Sequence, residues 1–111
     1  MTAYAIARLT NVRMGTGLRT YIAGIDATLA PFEGRFIIHG GPKIELEGAW
    51  PEDLIAIAFP DLDRARGWYA SPAYQAILAL RTANASGDVI LIEGVGPGHK
   101  ATDILAGVDP G

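Results

Sequence analysis

Apolar positions along the chain follow two different periods, one typical of strands and one typical of helices. Four apolar runs have the length of strands, at residues 3–10, 34–39, 54–59 and 88–95. Between the first two runs, apolar side chains recur every three or four residues, which predicts an amphipathic helix over residues 16–30. The pattern therefore begins with a strand, a helix and a second strand.

A second helical region is predicted after Asp61, which is a good N-cap residue. The Ser71-Pro72 pair divides this region into two helices, because the residue before a proline is pushed out of the α conformation. The resulting order, β-α-β-β-α-β, is the split βαβ pattern of ferredoxin-like α+β folds. We therefore expect a four-stranded antiparallel sheet with helices on one face.

The alternation of side chains along each strand predicts which residues face the helices. The residues expected under the helices are Ala3, Ala5, Ala7, Leu9, Phe36, Ile38, Ile90 and Ile92. The residues expected on the opposite face are Tyr4, Ile6, Ile37, Val89 and Leu91. Because a single chain would leave this second apolar face in water, we expect a second copy to cover it and form a dimeric α/β barrel. The polar residues expected in the shared interior are Arg8, Arg35, His39 and Glu93.

The chain is expected to divide into one domain, residues 1–95, and a C-terminal tail, residues 96–111. The tail is rich in Gly and Pro, and its only apolar anchors are Ile104, Leu105 and Val108. It is predicted to be either a loose tail or an arm that packs on a partner. Residues 43–47 are predicted to add a short extended segment between the second and third strands.

Composition and charge narrow the class of protein. The chain has 111 residues, of which 50% are hydrophobic and 19% charged, so it is predicted to fold as one ordinary domain. Its net charge of −3 argues against nucleic acid and membrane surfaces as partners. The absence of cysteine excludes disulfides, a thiolate nucleophile and Cys-ligated metal. The N-terminal segment has no pattern of a targeting signal, so a cytoplasmic location is predicted.

Several segments together resemble one protein family. They are GRFIIHGG at 34–41, Trp50-Pro51, Phe59-Pro60, WYASPAYQ at 68–75, Arg81 and DVILIEG at 88–94. Over residues 3–95 they resemble the domain of unknown function 1330 family, a branch of the dimeric α/β-barrel superfamily. The resemblance implies a homodimer with its sheets face to face, and no established reaction. Superfamily relatives include cofactor-free monooxygenases, lactone isomerases, haem-handling enzymes and ligand-binding regulators, so enzymatic activity of this chain rests on analogy alone.

Arg35 and His39 are the candidate catalytic residues. They share strand parity, so they are expected to project together into the barrel interior. The guanidinium could bind a carboxylate or stabilise developing negative charge, and the imidazole could transfer a proton. In the alternative interpretation, Arg35 pairs with Glu93 or a strand-end carbonyl, and His39 only ends its strand.

Tyr69, Tyr74, Arg81 and Trp50 are the candidate substrate-binding residues. A phenol can donate a hydrogen bond to a substrate oxygen, an Arg can bind an anion, and a tryptophan can form the wall of a pocket. Alternatively, the aromatic residues are core or interface anchors, and Arg81 ties its helix to Asp88 or Glu93.

Neither a cofactor nor a metal is predicted, because the two histidines, His39 and His99, belong to no metal-binding motif. The sequence predicts a homodimer that binds a small anionic or carbonyl-containing organic molecule near the barrel interior, with cofactor-independent catalysis as an extension. The alternative is a non-catalytic dimer with a structural or interaction role.

Overall fold

The computed structural model describes residues 1–107 and contains four strands and three α-helices. The strands are β1, Ala3–Thr10; β2, Arg35–His39; β3, Asp53–Phe59; and β4, Ser86–Glu93. The helices are α1, Thr16–Leu29; α2, Leu62–Ala70; and α3, Pro72–Thr82. Short 3₁₀ turns occupy Ala30–Phe32 and Ala101–Leu105. None of the helices within residues 1–107 is long and apolar enough to cross a membrane.

The break between α2 and α3 follows from two capping residues. The Asp61 carboxylate accepts a hydrogen bond of 2.8 Å from the Arg64 backbone N–H and begins α2. Ser71 ends α2 with extended backbone, and its hydroxyl accepts from the Tyr74 N–H at 3.2 Å. Pro72 then occupies the first turn of α3, where no backbone N–H is needed. The predicted interruption of the helix is confirmed.

The four strands form one antiparallel sheet in the order β2-β3-β1-β4. At the centre, Ala5 of β1 lies between Ile57 of β3 and Leu91 of β4. The face that carries these residues packs against the helices, and the core there includes Tyr21, Ile25 and Trp68. The ferredoxin-like α+β fold and the helix-facing side of β1 are confirmed.

The predicted orientation of β4 is wrong, because the residues predicted for its two faces are exchanged. Val89 and Leu91 are opposite Ala7 and Ala5, so they face the helices. Ile90 and Ile92 point the other way and are 53% and 49% exposed. Because β4 is apolar at consecutive positions, hydrophobicity alone does not choose its register, and the pairing with β1 decides it.

A β-bulge changes the orientation of β2 between Phe36 and Ile38. Arg35 is opposite Ala58 on the open face of the sheet, whereas His39 is opposite Ile55 on the helix face. The expectation that Arg35 and His39 project together is therefore wrong. The extra residue in the bulge reverses the alternation, which also moves Ile38 to the open face.

The open face of the sheet is apolar along its centre and carries an ion pair at one end. Arg8 Nε lies 3.0 Å from the Asp88 carboxylate on exposed side chains. Glu93 is opposite Ala3, on the side of the helices, and is exposed. The four polar residues predicted for a shared interior are thus divided, with Arg8 and Arg35 on the open face and His39 and Glu93 on the other.

Two segments extend away from this core. The connection 40–52 contains no strand, and its side chains Ile44 and Leu46 are each 88% exposed. Gly40 and Gly41 have left-handed φ angles of 70° and 99°, which interrupt the extended backbone after β2. The extended segment predicted at residues 43–47 forms no strand. In the C-terminal segment, Ile104 and Leu105 are exposed instead of anchored. Val108, the third expected anchor, lies outside the described residues.

Candidate functional site

An apolar cavity of about 240 Å³ lies between the helices and the helix face of the sheet. Its floor comes from β1, β3 and β4, and includes Ala5, Ala7 and Val89. Leu18 and Ile25 of α1 contribute apolar side chains to its walls. The small alanines of β1 leave space beneath α1 that larger side chains would fill.

One end of the cavity opens to solvent. The lining residues at this end come from three loops or strand ends, and all but the half-buried Gly40 are exposed: Val12 and Met14 before α1, His39 and Gly40 at the end of β2, and Asp53 at the start of β3. A small molecule could therefore enter without disturbing the buried core.

The polar lining of the cavity is concentrated in Tyr21, Tyr74 and Arg81, which are all buried. Tyr21 belongs to the apolar stripe of α1, and Tyr74 lies in the first turn of α3. Arg81 follows Tyr74 by seven residues, so both project from the same face of α3. The Tyr21 and Tyr74 hydroxyl oxygens are 2.8 Å apart and share a hydrogen bond.

The three groups influence one another electrostatically. Burial raises the pKa of Tyr21 far above its ordinary value, the neighbouring Tyr74 hydroxyl raises it further, and Arg81 opposes both effects. Burial lowers the pKa of Arg81, but the two phenols outweigh this effect, and its pKa is raised overall. At neutral pH the cluster therefore contains a protonated Tyr21 and a positive guanidinium.

The cluster has more hydrogen-bond donors than acceptors. A guanidinium has five N–H donors and no acceptor, and each phenol adds one O–H donor. The guanidinium interacts with both phenols, and no buried side-chain nitrogen or oxygen in residues 1–107 lacks a hydrogen-bond partner. Arg81 is only 7% exposed, yet it forms no ion pair with any Asp or Glu in residues 1–107. What the cluster lacks is therefore a negative charge, which an anionic oxygen would supply.

The high pKa of Tyr21 predicts a loss of stability in alkali. Above pH 10 the unfolded chain releases the Tyr21 proton while the folded protein keeps it, so the free energy of unfolding falls as pH rises. Tyr21→Phe removes this contribution, and its stability should fall less steeply with pH than that of the wild type. Urea unfolding at pH 8 to 11, followed by circular dichroism, tests this. Parallel pH dependences would contradict the assignment.

Trp68 forms a fixed wall beside the cluster. Its indole N–H donates to the Thr28 hydroxyl at 3.0 Å, and its ring centroid lies 4.1 Å from that of Tyr74. Because the N–H already has an acceptor, Trp68 offers a ligand its ring rather than a hydrogen bond. It also holds the Tyr74 ring in place.

His39 lies at the open end of the cavity and stacks on Phe36. Their ring centroids are 4.3 Å apart and their planes differ by 14°. Phe36 faces the cavity by regular alternation, and the β-bulge that follows it brings His39 to the same side of the sheet. His39 is therefore the predicted catalytic residue that the structure places in the cavity.

The other predicted site residues occupy different positions. Arg35 lines a shallow depression with Thr2, Glu33 and Pro60, away from the cavity. Tyr69 packs edge-on against Trp68 and also contacts Tyr74, but it does not line the cavity. Trp50 is 47% exposed in the connection 40–52. Arg81 does not pair with Asp88, which binds Arg8 instead.

The sequence pattern did not identify Tyr21 or Phe36 as site residues, because both occupy positions of predicted apolar faces. For Trp68, as for Trp50, residue type allows either the wall of a pocket or a core anchor. The signal that could have identified Tyr21 is a phenol on the stripe of α1 that packs against α3, where Tyr74 and Arg81 also lie. No cluster of three or more potential metal-binding side chains occurs in the part of the chain that the structure describes.

The fold and the buried cluster of Tyr21, Tyr74 and Arg81 define a small ferredoxin-like α+β protein with a cavity between its sheet and helices. The model of the family described as "Domain of unknown function (DUF1330)" matches residues 2–95, and the chain belongs to this family. No curated protein matches the chain.

Solved structures with the same fold include proteins from three bacteria. A protein of unknown function from Rhodopseudomonas palustris has a TM-score of 0.64 and 14% identity, with 86% of this chain and 84% of that chain covered. A dimeric ferredoxin-like protein of unknown function from Jannaschia sp. CCS1 has a TM-score of 0.63 and 13% identity, covering 85% and 100%. SnoaB, a cofactor-independent oxygenase from Streptomyces nogalater, has a TM-score of 0.59 and 15% identity, covering 89% and 98%. At these identities the likeness shows a shared fold.

Proposed function

We propose that the protein binds a small organic molecule in the cavity and holds its anionic or carbonyl oxygen with Arg81, Tyr74 and Tyr21. The observation that carries this proposal is the buried Arg81, which has no carboxylate partner among residues 1–107. Burying an unpaired charge costs several kcal/mol unless a counter-charge enters with a ligand. A bound carboxylate or enolate oxygen would supply that counter-charge and accept hydrogen bonds from the cluster.

The rest of the cavity sets the character of the ligand body. Its lining is mainly aliphatic and aromatic, which favours an apolar body. A volume of 240 Å³ corresponds to about eight water molecules at about 30 Å³ each, so a compound with one aromatic ring is of suitable size. This cavity lies on the helix face of the sheet, and not in the sheet-to-sheet interior that the sequence predicted.

Two of the predicted substrate-binding residues, Tyr74 and Arg81, are part of this proposed site, and Tyr21 joins them. Tyr69 supports the Tyr74 ring from outside the cavity. Arg35 and Trp50 do not line the cavity and have no part in the proposed binding. A guanidinium with two phenols would also stabilise negative charge that develops on a substrate oxygen, which supports cofactor-independent catalysis as an extension of binding.

A second proposed property is assembly into a homodimer through the open face of the sheet. Ile90 and Ile92 lie there on the edge strand β4 with about half of their surface exposed, and Ile38 lies on the same face in the opposite edge strand, β2. A sheet face with exposed apolar side chains at both edges is typical of an interface. The protein from Jannaschia with the same fold is described as dimeric, which supports a second copy as the occupant. Two sheets packed face to face would form the barrel expected from the sequence.

The binding proposal is tested by tryptophan fluorescence. Trp50→Phe leaves Trp68, a cavity residue, as the sole tryptophan, so quenching reports occupancy of the cavity. Benzoate, phenylacetate and 3-phenylpropionate are titrated in parallel with their uncharged amides. We expect saturable quenching by at least one acid and binding at least about tenfold weaker for its amide, because hydrogen bonds to charged groups are the stronger ones.

Two results would contradict the binding proposal. Saturable quenching by none of the three acids would show that the cavity does not take such ligands. Equal affinity for an acid and its amide would show that Arg81 does not recognise negative charge. Titration of the protein with both tryptophans controls for the effect of the Trp50→Phe change itself.

A further inference from the structure

The position of His39 depends on a backbone irregularity, the β-bulge in β2. Without the bulge between Phe36 and Ile38, regular alternation would leave His39 on the open face with Arg35. With the bulge, His39 lines the cavity opposite the floor residue Ile55. Bulges of this kind frequently re-aim side chains next to active sites.

The ring of His39 is oriented but its nitrogens are not engaged. Stacking on Phe36 fixes the plane of the ring. Within residues 1–107, the His39 side chain has neither a hydrogen bond nor an ion pair. Because imidazole is the side chain that most often transfers protons near neutral pH, an oriented ring with free nitrogens in a cavity is suited to this task.

The buried cluster and His39 contribute different groups to the same cavity. Arg81 and the protonated Tyr21 can donate hydrogen bonds to an oxygen but cannot remove a proton from a substrate at neutral pH. Asp53, an exposed residue at the start of β3, also lines the open end of the cavity. His39 is the cavity residue whose ring is both oriented and able to accept a proton.

We propose that His39 acts as the base in proton abstraction from a carbon next to a carbonyl group, with the carbonyl oxygen held by Arg81, Tyr74 and Tyr21. This inference rests on the proposed binding of an anionic or carbonyl oxygen in the cavity. The C–H bond breaks, the proton moves to a ring nitrogen of His39, and the electron pair forms a carbon–carbon double bond. The carbonyl π electrons move to the oxygen, which becomes an enolate.

The reaction is completed when His39 returns the proton. Protonation of the enolate oxygen gives the enol, and protonation of the same carbon returns the ketone. Where a C=C bond conjugates with the enolate, protonation at the far carbon of that bond gives a positional isomer. Atoms and electrons balance without a metal, oxidant or reductant. The substrate class is therefore a ketone or keto acid with an apolar body and a C–H bond next to the carbonyl, and the activity is tautomerisation or isomerisation.

Phenylpyruvate is a suitable probe, since it combines an aromatic ring, a ketone, an adjacent methylene and a carboxylate. In D₂O the exchange of its methylene hydrogens is followed by proton NMR, and its binding is followed by saturation transfer to its phenyl signals. We expect the wild type to accelerate exchange and His39→Gln to lose about 100-fold of that acceleration, in line with general base catalysis. Saturation transfer to the phenyl signals should persist in His39→Gln. His99→Gln, the same change at the other histidine, should accelerate the exchange of the methylene hydrogens as much as the wild type does.

Chemical rescue separates proton transfer from a structural role. His39→Ala leaves space beside Phe36, and free imidazole added to this variant should restore part of the exchange. Binding without accelerated exchange in the wild type would overturn the inference and leave the proposed function standing. Accelerated exchange that His39→Gln retains would overturn the role of His39. Absence of binding in the wild type would overturn the proposed function and the inference together.

Discussion

Replacing Arg81 with methionine is expected to abolish the preference for anionic ligands without lowering the stability of the fold. Hydrogen bonds to charged groups contribute roughly 1.5–3 kcal/mol, so the affinity for the tightest-binding acid should fall by about 100-fold. Affinity for the corresponding amide should change much less. The measurement is the fluorescence titration described above, carried out in the Trp50→Phe background.

The stability of Arg81→Met distinguishes a binding residue from a structural one. A buried guanidinium without a carboxylate partner in residues 1–107 is costly to hold, and methionine fills a similar volume without that cost. The thermal midpoint should therefore stay the same or rise. Arg66→Met is the matched control, since Arg66 of α2 is exposed and outside the cavity. A fall of several degrees for Arg81→Met, with Arg66→Met unchanged, would return Arg81 to a structural role.

Introducing a lysine at Ile90 is expected to dissociate the proposed homodimer. Ile90 lies on the open face, in the edge strand β4 and opposite Ile6 of β1. In a dimer with its sheets face to face, the substitution would bury a positive charge close to the same lysine of the second subunit. This burial costs several kcal/mol. Because Ile90 is already 53% exposed in the single chain, the folded subunit should tolerate lysine. Light scattering coupled to size exclusion measures the mass of each variant.

Ile104→Lys provides the matched control for the dimer prediction. Ile104 is also an exposed apolar residue, but it lies in the C-terminal segment. If the sheet face forms the interface, Ile90→Lys should be monomeric and Ile104→Lys dimeric. The reverse result would assign the interface to the C-terminal arm, which was the alternative role expected for residues 96–111. A monomeric wild type would contradict the proposed homodimer.

The parts of the fold that local chemistry determines could be predicted from the sequence. Asp61, Ser71 and Pro72 set the helix boundaries through hydrogen bonds and backbone restrictions that operate within a few residues. The apolar face of α1 and the helix-facing side of β1 could also be predicted. Helix α1 has one clearly more apolar face, and β1 has one side with mainly small side chains. The order of elements then led to the correct fold class.

Other features depend on pairing between distant residues and could not be predicted in this way. The apolar β4 is compatible with either orientation until Leu91 is placed opposite Ala5. The bulge in β2 moved His39 and Arg35 to different faces, and no residue in GRFIIHGG signals it. The cavity exists because small residues of β1 lie beneath α1, which only the packed structure shows.

Residue chemistry alone does not show which candidate residues share a cavity. Tyr74, Arg81 and His39 line one cavity, whereas Arg35, Tyr69 and Trp50 do not, and the roles of all six stay predictions. Tyr21 was hidden because a phenol on an amphipathic helix is ordinarily a core residue. Its significance follows from the 2.8 Å hydrogen bond to Tyr74, which joins residues 53 positions apart.

A crystal structure of the protein with its tightest-binding aromatic acid would test the proposed function most directly. The carboxylate should lie about 2.8 Å from the Arg81 guanidinium, with a phenol of the cluster as a further donor and the ring in the apolar part of the cavity. A carboxylate bound elsewhere, with the cavity closed to the ligand, would contradict the proposed function.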